Sequence, residues 1–297
     1  MSQLIRFGIV ASMMLLVFAL GVRSTEHLVG YLLHRPALLV RSLLAMNVVL
    51  PLITVVLVLS FKLHTPVRIA LVALAISPVP PFLPAKQLKL SSSAGYVYGL
   101  FVAAAVLAVV LVPLTMALIS ALMANGKPYV SARRVMIIVS MSVLLPLVAG
   151  MLVRRVLPSA AGRISSVANL TGSVLLAIAF LPVLVTQWPA MRALIGDGTL
   201  LAIVVFTLLG LLVGHLLGGP DAEHRTVLAL ATASRHPAVA LSVASVSFPD
   251  EKLVPAAVLL ALIVGLIATA PYSAWRKSVH AAQVVSDAES TPAAGRR

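Results

Sequence analysis

The sequence predicts an all-α polytopic membrane protein with about nine transmembrane helices, two of them discontinuous and placed in inverted repeats. The first observation is composition: of 297 residues, 61% are apolar and 10% are charged, with a mean hydropathy of +1.09, a balance typical of membrane proteins. The second is the recurrence of apolar runs of roughly 20 residues, the length that crosses a bilayer. The third is that prolines interrupt two of these runs near their middles. A chain inside a bilayer must satisfy its own backbone, so the runs are predicted to be helices.

Nine apolar spans can be drawn, each close to the length needed to cross about 30 Å of hydrocarbon with some tilt. They cover residues 4–22, 37–60, 67–89, 93–122, 132–154, 169–187, 199–217, 223–247 and 253–275. Short loops separate them, marked by Pro, Gly and charge at His34-Arg35-Pro36, Asn125-Gly126-Lys127-Pro128 and Gly218-Gly219-Pro220-Asp221. Residues 1–276 are therefore predicted to form one transmembrane domain. The polar, Ala- and Ser-rich stretch 277–297 is predicted to be a disordered tail.

An alternative for the first span is a cleaved signal peptide, since Arg6 precedes an apolar run. No A-x-A-type cleavage site follows, so we keep it as a span. Orientation is predicted from basic residues: with the N-terminus outside, thirteen of the 22 Lys and Arg lie on the cytoplasmic side and eight outside, with Arg235 in the membrane. This moderate bias favours N-out and C-in.

Composition also excludes several classes of function. Cysteine is absent, which excludes disulfides and a thiolate nucleophile. The formal charge of +14 is explained by basic loops, and two tryptophans without a basic-aromatic stripe give nucleic acid nothing to stack on. No HExxH or comparable spacing of metal ligands occurs, so no metal or other cofactor is predicted.

The most informative span is Ala222 to Pro249, because Ser234-Arg235-His236-Pro237 lies in its middle. A guanidinium near the bilayer centre costs at least ~2.5–3.5 kcal/mol, so it is expected to face a cavity or a partner. Proline lacks an N–H and clashes with the preceding turn, so we expect one helix to end near Ala233 and another to begin at Pro237. Free N–H groups and a guanidinium at mid-membrane predict an anion site. The alternative is that Arg235 snorkels to an interface and Pro237 is only a kink.

A second span is interrupted as well, at Ile76-Ser77-Pro78-Val79-Pro80-Pro81-Phe82-Leu83-Pro84. Four prolines in seven residues predict a half-helix to about Ile76, an extended segment, and a short helix toward Lys89. Spans 37–60, 67–89 and 93–122 form one triplet, and 199–217, 223–247 and 253–275 form another. The triplets are five spans apart and so cross the membrane in opposite senses. Broken helices paired in inverted halves predict a secondary transporter with a binding site near the midplane; the alternative is a chance placement of prolines.

With these features in place, the sequence resembles the bile acid:sodium symporter family and its bacterial relatives over residues 4–275. The resemblance rests on four short segments: Phe18-Ala19-Leu20-Gly21, Asn47-Val48-Val49-Leu50-Pro51-Leu52, Ser77-Pro78, and Arg225-Thr226-Val227-Leu228-Ala229-Leu230-Ala231-Thr232. It implies two inverted repeats whose broken helices cross in a core domain (37–122 and 199–275), beside a panel domain (4–22 and 132–187). It also implies a bacterial cytoplasmic membrane and an organic anion as substrate, bound between the domains.

The sequence departs from the family at its sodium-binding positions. An acidic residue and a glutamine expected in the second broken helix fall on Ala231 and Arg235, and a glutamine expected in the second span falls on Met46. All eight acidic residues of the chain lie in loops, at span ends or in the tail. Since Na⁺ needs several oxygen ligands and Arg235 would repel it, we expect Arg235 to replace the sodium charge with a fixed cation.

The resulting prediction is a carrier that moves a small organic anion by alternating access, with Arg235 as counter-charge. The residues expected at the substrate site are Arg235, His236, Ser234, Thr232, Ser77, Pro78, Pro80 and Asn47. A proton carried with the anion could bind His236; the alternative is a neutral buried histidine that donates to a carbonyl. Partners are thus the anion, membrane lipid, and a proton or sodium as coupling ion, without nucleic acid.

Two other functions remain open at this point. The first is a sodium-coupled symporter with relocated ion sites, and the second is a non-transporting sensor or scaffold of the same fold. An intramembrane enzyme is disfavoured because Cys is absent and Asp and Glu lie only in loops, at span ends or in the tail. An anion channel would need a ring of charge at its pore, which the sequence does not show.

Overall fold

The computed structural model of the protein describes residues 3–123 and 132–290, and within these ranges the chain is helical, without β-strands. This confirms the all-α membrane fold class. The helices are α1 (Gln3–Arg23), α2 (Glu26–Leu33), α3 (Pro36–Leu44), α4 (Leu50–Ser60), α5 (Thr65–Ile76), α6 (Leu83–Gln87), α7 (Ala94–Met123), α8 (Ala132–Val139), α9 (Leu145–Val156), α10 (Ala161–Ala193), α11 (Thr199–Leu217), α12 (Ala222–Ala233), α13 (Pro237–Ser247) and α14 (Val254–Ser290).

Six helices in the described ranges are long and apolar enough to cross a membrane. A seventh passes if α1 and α2, which are bent by 87° across a short break, count as one span. The remaining two expected spans are the interrupted span 67–89, whose longest helix is the 12-residue α5, and span 132–154, which is divided between α8 and α9. The count of nine therefore stays a prediction.

Both predicted breaks are found where the prolines placed them. α5 ends at Ile76 and Ser77 is extended. Residues 78–80 have no regular structure, residues 81–82 form a turn, and the short α6 begins at Leu83. In the other half, α12 ends at Ala233 and α13 begins with Pro237 at its first position. Proline suits this position because it lacks the N–H that a first helical turn leaves unpaired.

Two further spans contain a π-helical turn directly before a Leu-Pro-Leu sequence. Ala45–Val49 joins α3 to α4, and Ser140–Leu144 joins α8 to α9. In each case a proline follows as the second residue of the next helix, Pro51 and Pro146. A proline inside a helix clashes with the carbonyl four residues earlier, and the wider π-turn gives the ring room. The chain therefore stays helical across each proline.

α1 packs closely against both α9 and α10. The crossing with α9 occurs at Gly21 and Gly150, where an added Cβ would lie 2.3 Å from the Leu147 carbonyl oxygen and 2.2 Å from that of Phe18, respectively. Only a residue without a side chain allows two backbones to approach this closely. These three helices are those expected to form the panel; that they move as one body stays a prediction.

α11 and α12 pack together through a row of glycines spaced four residues apart. Gly210, Gly214 and Gly218 face the α12 backbone, where an added Cβ would lie 2.9 Å from the Ala233 Cα, 2.5 Å from the Ala229 Cα and 2.5 Å from that of Arg225. Residues four apart lie on one helix face, so the contact continues along the whole of α12. The half-helix that leads into the second break is therefore held along its length by α11.

Polar contacts fix the first turn of α12. The Asp221 carboxylate accepts from the backbone N–H groups of Glu223 and His224, which caps the helix. From α14, buried Arg276 donates to the Thr226 hydroxyl at 2.6 Å and to the Ala222 carbonyl at 2.8 Å. Because an arginine that bonds a helix in two places fixes both position and rotation, α12 is anchored at this end as well as along its side.

The last helix is longer than the sequence indicated. α14 continues through Lys277 to Ser290, so the segment expected to be a disordered tail is helical as far as Ser290. No proline or glycine interrupts this stretch before Pro292, which explains why the helix continues. Residues 291–297, and the expected loop Asn125-Gly126-Lys127-Pro128, lie outside the described residues.

Candidate functional site

The two breaks meet each other directly. The backbone N–H of His236, at the end of the second break, donates to the carbonyl of Pro78 in the first break at 2.9 Å. Both residues are buried. One main-chain hydrogen bond therefore links the two interrupted spans where they come together.

Arg235 lies at this meeting point and is 4% exposed. Its Nη2 donates to two backbone carbonyls, those of Met46 and Ala75. Met46 belongs to the π-turn between α3 and α4, and Ala75 to the last turn of α5. The guanidinium thus joins three segments in the interior of the helical bundle.

The sequence explains why these two carbonyls are free to accept. In the π-turn each N–H bonds the carbonyl five residues earlier, as Leu50 does with Ala45. The next such donor would be residue 51, which is proline and has no N–H, so the Met46 carbonyl loses its helical partner. Ala75 lies in the final turn of α5, where carbonyls have no intrahelical donor. A buried carbonyl without a partner is costly, and Arg235 satisfies both.

Helix ends also compensate the positive charge of Arg235. The last turn of α5 points its carbonyls at the guanidinium, and α12 ends two residues before Arg235. The C-terminal end of a helix carries a partial negative charge, so these two ends stabilise a cation between them. Acidic side chains contribute nothing here, since none occurs from residue 27 to residue 196 or in 224–249.

Part of the guanidinium has no protein partner. Nε and Nη1 of Arg235 are buried and donate to none of the acceptors in the described part of the chain. Unpaired charged N–H groups in a buried site are strongly unfavourable unless a ligand or water binds them. The arrangement therefore offers two N–H donors to an incoming acceptor, while the third nitrogen holds the residue in place.

A narrow cleft of about 40 Å³ opens beside Arg235. Its polar wall contains Ser234 together with Thr207 of α11 and Thr269 of α14, and the rest is apolar. The hydroxyls of both threonines donate to carbonyls of their own helices, which leaves their oxygen lone pairs toward other donors. The cleft has room for one or two waters or a small polar group.

A larger cavity of about 330 Å³ adjoins the cleft. It lies between α1 and α10 on one side and α13 and α14 on the other, and is almost wholly apolar, with Ser173 as its one hydroxyl-bearing residue. Phe82, Leu262 and Leu266 line both spaces and form the wall between them. Pro237, the first residue of α13, also borders the cavity.

The other predicted site residues lie near the crossing, but several use their polar groups locally. Thr232 and Ser77 are buried and donate to Leu228 and Leu74 of their own helices. Asn47 is half-buried, and its amide donates to the Leu43 carbonyl at 3.3 Å. Pro80 is buried, and its carbonyl accepts from the Leu83 N–H at 3.1 Å, at the start of α6. These residues shape the crossing rather than offering free donors.

His236 caps the helix that it precedes. Its Nδ1 accepts from the Val239 N–H at 3.4 Å, while its Nε2 is buried without a protein partner. An accepting Nδ1 places the proton of a neutral imidazole on Nε2. The expected free N–H groups at the start of α13 are thus partly occupied, by Pro78 and by the His236 side chain itself.

Sequence reasoning missed the two carbonyls that hold Arg235, those of Met46 and Ala75. The signal for Met46 is Pro51 five residues later, preceded by a run that accommodates a π-turn. Sequence reasoning also missed Phe82, Leu262 and Leu266, since apolar residues of a broken helix and a regular helix show no signal of a shared wall. In the described part of the chain, no group of three or more His, Asp or Glu side chains is arranged to hold a metal ion.

Two interrupted helices that meet at their breaks in an apolar helical bundle, with a buried charge at the contact, are typical of integral membrane transporters. The model of the sodium bile acid symporter family matches residues 10–187, more than half of the chain. The protein therefore belongs to the sodium bile acid symporter family, as the sequence resemblance indicated. A comparison with curated proteins gives no match.

Proposed function

We propose that the protein is a secondary transporter that moves a small organic anion across the membrane by alternating access, with Arg235 as its fixed counter-charge. Membership of a transporter family supports transport as the general activity. The observation that supports a negatively charged substrate is that Nε and Nη1 of Arg235 have no protein partner where the two breaks meet. The negatively charged oxygens of a carboxylate or sulfate can accept from these N–H groups and neutralise the guanidinium.

The spaces beside Arg235 favour an anion with an apolar body. The cleft at Arg235 holds only a small polar group, whereas the adjoining cavity of about 330 Å³ is apolar. The charged group would lie in the cleft, with Ser234 beside it, and the body in the cavity. Apolar burial then supplies affinity and the guanidinium supplies specificity, the usual division of roles in a small-molecule site.

The same geometry argues against sodium coupling at this position. The Nη2 of Arg235 already occupies the space between the Met46 and Ala75 carbonyls, where a small cation would otherwise find oxygen ligands. A guanidinium at that point repels any further cation. The charge that neutralises the substrate is then part of the protein, and transport would follow the gradient of the anion or of a proton carried with it.

Alternating access requires two groups of helices that move against each other. The proposed division has a panel of residues 4–22 and 132–187 and a core of 37–122 and 199–275. The apolar cavity lies between helices of these two groups, so relative movement would open it to one side and then the other. The proposed orientation is N-out and C-in, in a bacterial cytoplasmic membrane.

The test is uptake of labelled organic anions of graded apolar size into proteoliposomes, with sodium or choline outside. Wild type is expected to transport equally in both salts. Arg235→Gln removes the charge and should lose uptake, while the exposed Arg192→Gln should retain it. Arg235→Lys keeps the charge but loses the planar, fixed N–H donors of the guanidinium, so this variant should retain only part of the uptake.

Each other outcome favours a different function. Uptake that requires sodium would show a symporter with ion sites elsewhere in the fold. Absence of uptake for every anion, from a protein that binds them, would show a sensor or scaffold. Uptake retained in Arg235→Gln would refute the role of the guanidinium.

A further inference from the structure

A second site, unrelated to the crossing, lies on the outer surface of the α1–α10 pair. An open groove of about 420 Å³ is lined by Leu15 of α1 and by Arg163, Ile164, Val167, Ala168 and Thr171 of α10. Apart from the arginine and one hydroxyl, its lining is apolar. α10 is one of the helices apolar enough to span a membrane, and it is among the least buried of them, so this groove faces lipid.

The groove has a charged residue, Arg163, at one end and a mostly apolar lining along the rest of its length. Arg163 lies in the first turn of α10 and is exposed, while Thr171 lies eight residues further along the same helix. At 1.5 Å per residue, that separation is about 12 Å along the helix axis. A charge at one end and an apolar channel running about 12 Å from it match a phospholipid head group and the upper part of one acyl chain.

Arg163 belongs to a group of basic residues at this end of the panel. Arg154 and Arg155 end α9, and Arg23 ends α1. Arg23 donates through Nε to Ser165 at 2.8 Å, which ties the end of α1 to the start of α10 and places a further positive charge at this end of the panel.

These arginines have no carboxylates to neutralise them on their own helices, since α1, α9 and α10 contain no Asp or Glu. The nearest acidic residue along the chain is Glu26, at the start of α2. A concentration of positive charge at a membrane surface attracts anionic lipid, by about 1 kcal/mol for each basic residue. Charge complementarity therefore selects the occupant of the groove.

We infer that this groove binds one anionic phospholipid, with its phosphate at Arg163 and an acyl chain along Val167 and Thr171. Arg154, Arg155 and Arg23 add to the positive potential that holds the head group. The lipid would cover a groove formed by the two helices that also border the apolar cavity, α1 and α10. The site is independent of the substrate, and its test needs no transport.

The test is native mass spectrometry of the delipidated full-length chain, titrated with phosphatidylglycerol or with phosphatidylcholine of the same acyl chains. Wild type should bind one phosphatidylglycerol more tightly than phosphatidylcholine. Arg163→Gln should weaken the binding of phosphatidylglycerol about fivefold, the factor that corresponds to about 1 kcal/mol for one basic residue. It should weaken the binding of phosphatidylcholine by a smaller factor, because the choline cation offsets the charge of the phosphate. Arg192→Gln, at the exposed opposite end of α10, is the matched control and should behave as wild type.

A second variant tests the contact with the acyl chain independently of the contact with the head group. Val167 is 59% exposed, so Val167→Trp fills the groove without entering the core, and it should lower the affinity for both lipids. Equal affinities in wild type and Arg163→Gln would overturn the inference. So would a delipidated wild type that forms dimers which Val167→Trp converts to monomers, since the groove would then be covered by a second copy.

Discussion

Replacing Gly214 with alanine tests whether close packing of α11 against α12 holds the second break in place. The new Cβ would lie 2.5 Å from the Ala229 Cα and 2.5 Å from the Leu228 carbonyl oxygen. Non-bonded carbon atoms prefer roughly 3.5–4.0 Å, so the two helices would have to separate by about 1 Å. Neither contact atom belongs to a flexible side chain, so no rotamer change can relieve the clash.

The magnitude follows from comparison with a second glycine. Gly265 of α14 is half-buried, and a Cβ there would meet only the Thr207 hydroxyl at 3.5 Å, an ordinary contact. Both substitutions change helix propensity in the same direction, so that contribution cancels in the difference. What remains is overpacking at Gly214, which typically costs 1–3 kcal/mol. We expect the free energy of unfolding of Gly214→Ala to be about 1–3 kcal/mol lower than that of Gly265→Ala.

The assay is reversible unfolding in mixed micelles for both variants and wild type, followed by uptake in proteoliposomes. Since Arg235 follows α12 directly, a displaced α12 also moves the guanidinium away from its carbonyl partners, and uptake should fall. Gly162→Ala, where a Cβ meets nothing within 4 Å, is the control for uptake. If Gly214→Ala were as stable as Gly265→Ala, the close approach of α11 and α12 would not exist and the reasoning would fail.

Three further predictions concern the contacts around the breaks. Arg235→Ala exposes the two carbonyls that the guanidinium satisfied, so sodium should raise the unfolding temperature of this variant more than that of wild type, relative to choline; an equal effect would show that the guanidinium does not stand in a cation's place. Arg276→Gln removes both bonds to the start of α12 and should lower the free energy of unfolding by about 1.5–3 kcal/mol. The control Lys277→Gln changes an exposed side chain and should lower it by less than about 0.5 kcal/mol. Similar losses in the two variants would contradict the anchoring role of Arg276. Pro51→Ala supplies an N–H that competes with Arg235 for a carbonyl, so uptake should decrease while stability does not, whereas Pro146→Ala in the other π-turn should leave uptake unchanged.

The positions of the breaks could be predicted from the sequence because they depend on local chemistry. Pro237 cannot continue a helix from Ala233, and three prolines prevent a helix between Ile76 and Phe82. The effect of a proline is confined to a few neighbouring residues, so no knowledge of the fold is needed. The helical class follows with equal certainty from composition, because a bilayer leaves the backbone few alternatives.

The partners of Arg235 could not be predicted because they depend on distant segments. Met46 and Ala75 are 189 and 160 residues away along the chain, and both contribute backbone atoms, which carry no residue identity. Sequence reasoning assigned roles to the polar side chains of Thr232 and Ser77, yet both bond to their own helices. In a membrane a hydroxyl is satisfied most easily by the nearest carbonyl, so a polar residue near a break is a weak predictor of a ligand.

Likewise, the bend of 87° between α1 and α2 and the extension of α14 to Ser290 depend on tertiary contacts and on helix continuation. The side chain of Thr25 caps α2 by accepting from the Leu28 N–H, a start signal that the sequence does contain. Its pattern is short enough to occur by chance in any loop.

The bond from the His236 N–H to the Pro78 carbonyl is made by main-chain atoms alone. Substitutions at either position can change the side chain at the contact without removing this hydrogen bond, and only a proline at position 236 would delete the N–H donor. The link between the two interrupted spans is therefore independent of the side chains around it. Residues near the breaks can be exchanged while the two interrupted helices stay joined.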